Sequence, residues 1–600
     1  MNDAMALAAD VTWDLSDLYE SHRDPKLRAD LEAAKQRADA FAKRYRGTID
    51  TASGPAPAHV AAAVREYEQI IEQAALPAIY AHLLHAGDMR PPEHGALVAL
   101  TQEGSTEIST LLLFFQLEWI ALPDDLARAV IDSPECRPHR HFLASARRYK
   151  PHTLSEPEER VLEEKANTGP RAFARLFDEL VSSLTFDVEI DGESRRLNES
   201  GVLALLYEPR RAVRSAAAAA LTKGLAANRL VITSIFNTLV QDHSVDDRLR
   251  SYAGPMDARH LANEIRPEVV EALMTACDNA TDMVADYYAL KRRLLGLDEL
   301  RDYDRYAPIS TEAASALTWP ECRELVLGAY GDFSPRMAEV ADQFFAKRWI
   351  DAAPRDGKRG GAFSASTVPS VHPYVLCNFL GRPRDVMTVA HELGHGVHQY
   401  LSRPHGLLQQ DTPLTLAETA SVFGEMLVFD RLRRRPGGAR QRLALLCEKI
   451  EDSFATVFRQ IALTRFEQSL HGARRAEGEL SAEKISELWL RANRAMYGDS
   501  VSLTDDYGWW WSYIHHFIHS PFYCYAYGFG ELLVLALYQL YRQEGAAFVP
   551  RYLELLSAGG SDTPQSLLAR VGIDIEVPGF WERGLALLRG LVDEAREIAG

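Results

Sequence analysis

The sequence predicts a mainly α-helical fold with a small β-sheet beside one functional helix, and three observations carry that prediction. Segments such as Lys26 to Arg46, Ala58 to Ala86 and Val213 to Leu239 repeat apolar residues at three- and four-residue spacing, with strong helix formers between them. Phe186 to Leu197 alternates instead, around an Asp191-Gly192 pair suited to a two-residue hairpin turn. Gly360 to Asn378 is rich in Gly, Ser, Thr and Val and too poor in helix formers to be helical. Two or three short strands, ending at Tyr374 to Cys377, are expected there.

In chain order, residues 1–200 read as an N-terminal helical region with a hairpin near 186–197, and 201–350 as a helical wall. Residues 351–600 hold the sheet, a motif-bearing helix and the C-terminal helices. Pro383 and Asp385 introduce the motif helix, because proline fits the first helical turn and an acidic side chain complements its unpaired N–H groups. No regular repeat of 20 to 50 residues interrupts this order.

Composition narrows the function classes. At 600 residues, 47% hydrophobic and 25% charged, the chain matches an ordinary globular protein. With 66 basic against 84 acidic residues its net charge is −18, and the basic clusters at Arg431 to Arg435 and Arg474-Arg475 are short, so nucleic acid is not an expected partner. The six cysteines, at 136, 277, 322, 377, 447 and 524, contain no CxxC pair and read as free, buried thiols of a reducing compartment. The N-terminus lacks a basic stretch followed by an apolar one, and the most apolar windows, Leu111 to Leu122 and Leu532 to Tyr541, fall short of the roughly 20 residues of a membrane span. A cytoplasmic location without membrane attachment is expected.

Chemistry concentrates on the motif helix, in His391-Glu392-Leu393-Gly394-His395. Histidines at i and i+4 leave one helix face a turn apart, so both imidazoles reach one metal ion, and the glutamate between them can take a proton from a water there. Zinc needs at least one more protein ligand. The following GVHQYL lacks the third histidine of the HExxHxxGxxH arrangement. Downstream, Leu416-Ala-Glu418-Thr-Ala-Ser-Val-Phe-Gly-Glu425 has helical spacing, and Glu418 is the best third ligand. Glu425, two turns on, reads either as a group that hydrogen-bonds a ligand histidine and fixes its tautomer or as a solvent-facing helix glutamate. His398, one turn past His395, reads as a packing residue. Glycines at 394 and 396 weaken the helix by roughly 1 kcal/mol each. Two so close together point to another backbone passing nearby, a substrate or a neighbouring strand.

HELGH followed by LAETASVFGE resembles the oligoendopeptidase F branch of the thimet oligopeptidase-like zinc metallopeptidases. The opening Trp13-Asp-Leu-Ser-Asp-Leu-Tyr19 and the stretch from Gly360 to Asn378 are similar to that branch as well. The resemblance implies a large helical bowl or clamp around a deep channel that admits peptides and excludes folded proteins. It also implies a histidine and tyrosines on a C-terminal loop that stabilise the oxyanion of amide hydrolysis. In WWWSYIHHFIHSPFYCYAYGFG, position matches His516, Tyr523 and Tyr527 to those roles, while the tryptophans read as core. The segment departs from the family pattern at Ala526, where glutamine is common, and in its extra histidines at 515 and 519; the choice among His515, His516 and His519 stays open.

Gly360, Gly361 and Ala362 read either as a strand edge that pairs with the main chain of a bound peptide or as a flexible loop. The expected function is a zinc-dependent metalloendopeptidase cleaving internal bonds of short oligopeptides, acting as a monomer or small homo-oligomer. One Zn²⁺, held by His391, His395 and Glu418, would polarise the scissile carbonyl and acidify a water that Glu392 deprotonates. The alternatives are a zinc carboxypeptidase of similar helical fold and a non-catalytic peptide-binding relative.

Overall fold

Proline at the first helical position opens many of the long helices, among them Pro25–Tyr45, Pro57–Gly87, Pro92–Ala121, Pro170–Ser183, Pro335–Ala346 and Pro383–Ser402. The ring fixes φ near about −65°, and the N–H it lacks is one that the first turn leaves unpaired in any case. The computed structural model describes residues 6–309, 316–435 and 438–600, and helix dominates them. Among the described residues no helix is long and apolar enough to cross a membrane.

The described strands form two sheets. β1 (Phe186–Ile190) and β2 (Glu193–Leu197) make the expected antiparallel hairpin, with Phe186 opposite Leu197 and Ile190 opposite Glu193. Asp191 and Gly192 both take positive φ, 55° and 83°, as a tight two-residue turn requires. In the second sheet β3 (Ile350–Asp351) runs parallel to β5 (Tyr374–Leu376), and β4 (Phe363–Ala365) pairs antiparallel with β5. The order β3-β5-β4 leaves β4 at an edge.

The chain divides into two compact units. One comprises Met1–Lys150, Ala314–Arg435 and Leu540–Ile575; the other comprises Pro151–Ala313, Pro436–Gln539 and Glu576–Gly600.

The first unit holds a core of Phe41, Tyr67, Phe114, Phe115 and Trp119 among its N-terminal helices, with the Trp119 indole N–H donating to the Leu143 carbonyl at 2.8 Å. Its sheet is fixed by a buried charge cluster. Asp351 in β3 accepts a two-pronged pair from Arg355, both contacts 2.7 Å, and lies 2.7 Å from Lys358 Nζ. Lys358 also donates to the carbonyls of Asp351, Ala353 and Cys377, which pins the loop entering β4.

The helix Pro383–Ser402 crosses this unit close to the helix Ser421–Arg433. A Cβ on Gly394 would collide with the Ala420 carbonyl and come within 2.6 Å of Ser421 Cα, so only glycine permits the approach. Gly396 faces the Phe344 ring instead. The neighbour at Gly394 is thus a helix start, neither a strand nor a substrate. Tyr330 ties the group together: its hydroxyl donates to the Ala390 carbonyl at 2.5 Å and fills the space beside Gly424.

The second unit packs Phe236, Phe466, Trp489, Trp510, Trp511 and Phe517 into one core. The tryptophan N–H groups are all spent inside it: Trp510 on Thr222 Oγ1, Trp489 on the Tyr507 carbonyl and Trp511 on Ser486 Oγ. Of the three tryptophans expected in the core, Trp510 and Trp511 are buried there and Trp509 is only partly buried. All six cysteines are free and buried.

Candidate metal centre

The helix Pro383–Ser402 presents His391 and His395 with ring centroids 5.0 Å apart and planes crossed at 79°. Glu418 comes to them at the end of the short helix Leu414–Ala417, just before Ser421–Arg433 begins. Its Oε2 lies 3.4 Å from His391 Nε2 and 3.4 Å from His395 Nε2. The three donor atoms lie within 4.8 Å of one another.

This donor set fits zinc. Ligands about 2.0–2.2 Å from a tetrahedral ion stand roughly 3.3–3.6 Å apart, and two imidazoles plus a carboxylate with an open fourth position is a catalytic arrangement. The local field fits as well. Burial pulls the His391 pKa down, but the Glu425 hydrogen bond and the charges of Glu418, Glu425 and Glu392 outweigh it and lift it to about 9. Burial pushes Glu418 up, yet the hydrogen bond and charge of His395 and the charge of His391 hold it well below the usual carboxylate range. Three carboxylates around two imidazoles thus favour positive charge between them.

Two neighbours orient the donors. Glu425 Oε2 lies 3.3 Å from His391 Nδ1, so an N–H on that nitrogen donates to it and leaves the Nε2 lone pair toward Glu418. Ser421, which the sequence does not single out, donates its hydroxyl to Glu418 Oε2 at 2.6 Å. Glu392 is buried, and burial raises its carboxyl pKa against the opposing charges of His391 and His395. His398 is buried with Nε2 unpartnered; burial pushes it down to about 3, so the ring stays neutral, in keeping with packing.

Gly360, Gly361 and Ala362 are not strand residues. They form the bend and loop ahead of β4, where Asn378 Nδ2 donates to the carbonyls of Arg359 and Gly361. The positive φ of 75° at Gly361 keeps this stretch out of extended pairing. The unpaired edge belongs to Phe363–Ala365, anchored by a 2.8 Å hydrogen bond between Ser364 Oγ and Gln399 Oε1 on the helix Pro383–Ser402.

In the second unit His516, Tyr523 and Tyr527 cluster. His516 Nε2 lies 3.2 Å from the Tyr527 hydroxyl, and the ring stacks on Tyr523 at 5.9 Å. Tyr523 meets Tyr527 edge-on at 5.0 Å. Burial, with the charges of Arg459 and His515, lowers the His516 pKa. His515 and His519 turn elsewhere, both to Asp178. Glu467, also missed in the sequence, accepts the Phe522 N–H at 2.9 Å and holds Phe522 at a positive φ of 57°, just before Tyr523.

The chain has relatives among known proteins and solved structures. The chain is 26% identical to the oligopeptidase PepF of Bacillus subtilis over 606 aligned residues, covering 99% of this chain and 88% of that protein. A solved chain from Chlamydophila abortus superposes with a TM-score of 0.85 at 24% identity over 98% of both chains. The oligoendopeptidase F structure from Enterococcus faecium gives 0.72 at 23% identity, over 96% of this chain and 98% of that one. The oligopeptidase F pattern matches residues 118–186, and that of peptidase family M3 matches residues 204–587. The chain belongs to peptidase family M3.

Proposed function

We propose that this chain is a zinc-dependent metalloendopeptidase hydrolysing internal bonds of short oligopeptides in the cytoplasm. The observation that carries the reading is the convergence of His391, His395 and Glu418 donor atoms next to the buried Glu392. Zinc held by these three residues would supply Lewis acidity to the scissile carbonyl and to the attacking water. Glu392 takes the water's proton and returns it to the leaving amine; a pKa raised by burial suits both halves of that transfer. Glu425 and Ser421 keep His391 and Glu418 aimed while this happens. We assign the donors for the developing oxyanion to His516, Tyr523 and Tyr527, on their motif and their mutual clustering.

Incubating the chain with peptides blocked at both ends and with the same peptides carrying a free C-terminus, and reading binding and products by mass spectrometry with and without a chelator, tests the proposal. Chelator-sensitive internal cleavage is expected. Cleavage restricted to peptides with a free C-terminus would instead indicate a carboxypeptidase, and retention of peptides without cleavage a binding protein.

A further inference from the structure

The second unit carries its own His-His-Asp constellation, with no residue shared with the His391 group. His515 and His519 stand one helical turn apart with ring planes 10° from parallel and centroids 6.0 Å apart. Asp178, from the helix Pro170–Ser183, places Oδ1 2.8 Å from His519 Nε2 and 3.4 Å from His515 Nδ1. The three donor atoms lie within 4.8 Å of one another.

We propose that Asp178, His515 and His519 form a second divalent transition-metal site, which fastens the segment bearing His516 and Tyr523 to the helix Pro170–Ser183.

The 3.4 Å from His515 Nδ1 to Asp178 Oδ1 matches neighbouring ligands of tetrahedral zinc, roughly 3.3–3.6 Å apart, while the 2.8 Å from His519 Nε2 to the same oxygen is a hydrogen-bond distance that would lengthen by about 0.5 Å when an ion takes the proton's place. The site is also partly preorganised: the buried Phe177 ring packs edge-on against His515 at 5.2 Å, which restricts that imidazole. One carboxylate oxygen faces a nitrogen of each imidazole, so a single ion placed between them would meet all three donors. Two imidazoles and one carboxylate select copper, nickel, zinc or cobalt over magnesium and calcium, which prefer all-oxygen ligands. Side-chain exposures of 41–49% leave the remaining coordination positions to water, so this is an exchangeable site.

Its position gives it a role. His516 sits between the two histidines in sequence but turns to Tyr527, and Ser520 to Phe522 lead from His519 into Tyr523. An ion on His515, His519 and Asp178 would therefore stiffen the stretch that presents His516 and Tyr523.

The experiment loads the full chain with zinc to saturate its tightest site, then titrates Ni²⁺ and Zn²⁺ by calorimetry, with Mg²⁺ and Ca²⁺ as contrasts. The wild-type chain should take up one further Ni²⁺ or Zn²⁺, weakened by more than about tenfold in His519→Ala and Asp178→Asn and unaffected by Mg²⁺ or Ca²⁺. Hydrogen exchange of residues 514–523 should slow on Ni²⁺ addition in the wild type and stay unchanged in His519→Ala. Equal uptake by wild type and His519→Ala, or slowing that persists in that variant, overturns the proposal. The result is independent of peptide cleavage, so failure of the peptidase reading would not be mistaken for failure of this one.

Discussion

Glu425 Oε2 lies 3.3 Å from His391 Nδ1, while the opposite nitrogen of the same ring faces Glu418. The contact selects the tautomer that leaves Nε2 free to bind a metal. Glu425→Ala should lower zinc affinity about 10–100-fold, measured by competition with a chromogenic chelator, and excess zinc should restore much of the activity. Unchanged affinity would reduce Glu425 to a packing residue.

Glu392→Gln keeps the shape of the side chain and removes its basicity. Turnover of a cleaved peptide should fall by roughly 10²–10⁴ while zinc content by atomic absorption stays the same. A variant that retains substantial turnover would require another base.

Tyr527→Phe removes the hydroxyl that meets His516 at 3.2 Å. Loss of one oxyanion donor predicts a drop of about 10²–10³ in kcat with little change in KM or zinc content. A rise in KM alone would place Tyr527 in ground-state binding.

Glu467 introduces a pH dependence into stability. Burial pushes its carboxyl up to about 8, against the 4.5 of an exposed glutamate, and its Oε2 has no partner. The folded state therefore keeps a proton that the unfolded chain releases. This contribution is complete below pH 4.5 and is lost as pH rises through about 8. Glu467→Gln still accepts from the Phe522 N–H and carries no charge, so its melting temperature should fall less between pH 6 and pH 9 than that of the wild type. Parallel pH profiles would show that Glu467 does not titrate in the folded chain as described.

Gly394→Ala should destabilise although alanine is the better helix former, because the new methyl meets the backbone of Ala420 and Ser421. Overpacking of this kind costs about 1–3 kcal/mol, and displacement of Ser421 should also weaken zinc binding through Glu418. Gly472→Ala, where a Cβ meets open space within the helix Phe458–Glu477, should stabilise by up to about 1 kcal/mol. Thermal melts of the two variants should therefore move in opposite directions.

Much of this architecture was legible in the sequence because it rests on local signals. Helical periodicity, the Asp191-Gly192 turn and the i, i+4 histidines are short-range patterns, and the convergence of Glu418 on them needs only a loop and a return. What escaped notice depends on distant or very short features. β3 has two residues, too few for any alternation to register. Tyr330 reaches Ala390 from a helix 60 residues earlier in the chain. Ser421 meets Glu418 across the break between the helix ending at Ala417 and the one starting at Ser421, a break hidden within an otherwise helical pattern. Of the two readings open for Gly360 to Ala362, a strand edge or a loop, the loop holds and the strand begins at Phe363, because the bend at Gly361 and the Asn378 hydrogen bonds shape the chain before extended pairing begins.

The six buried cysteines have a practical use. Burial raises the pKa of every one of these thiols, so at neutral pH the thiolate that reacts with alkylating probes is scarce and shielded. The native chain thus serves as its own unreactive background: one cysteine introduced at an exposed site such as Leu230, which is 82% exposed, would take a maleimide dye alone.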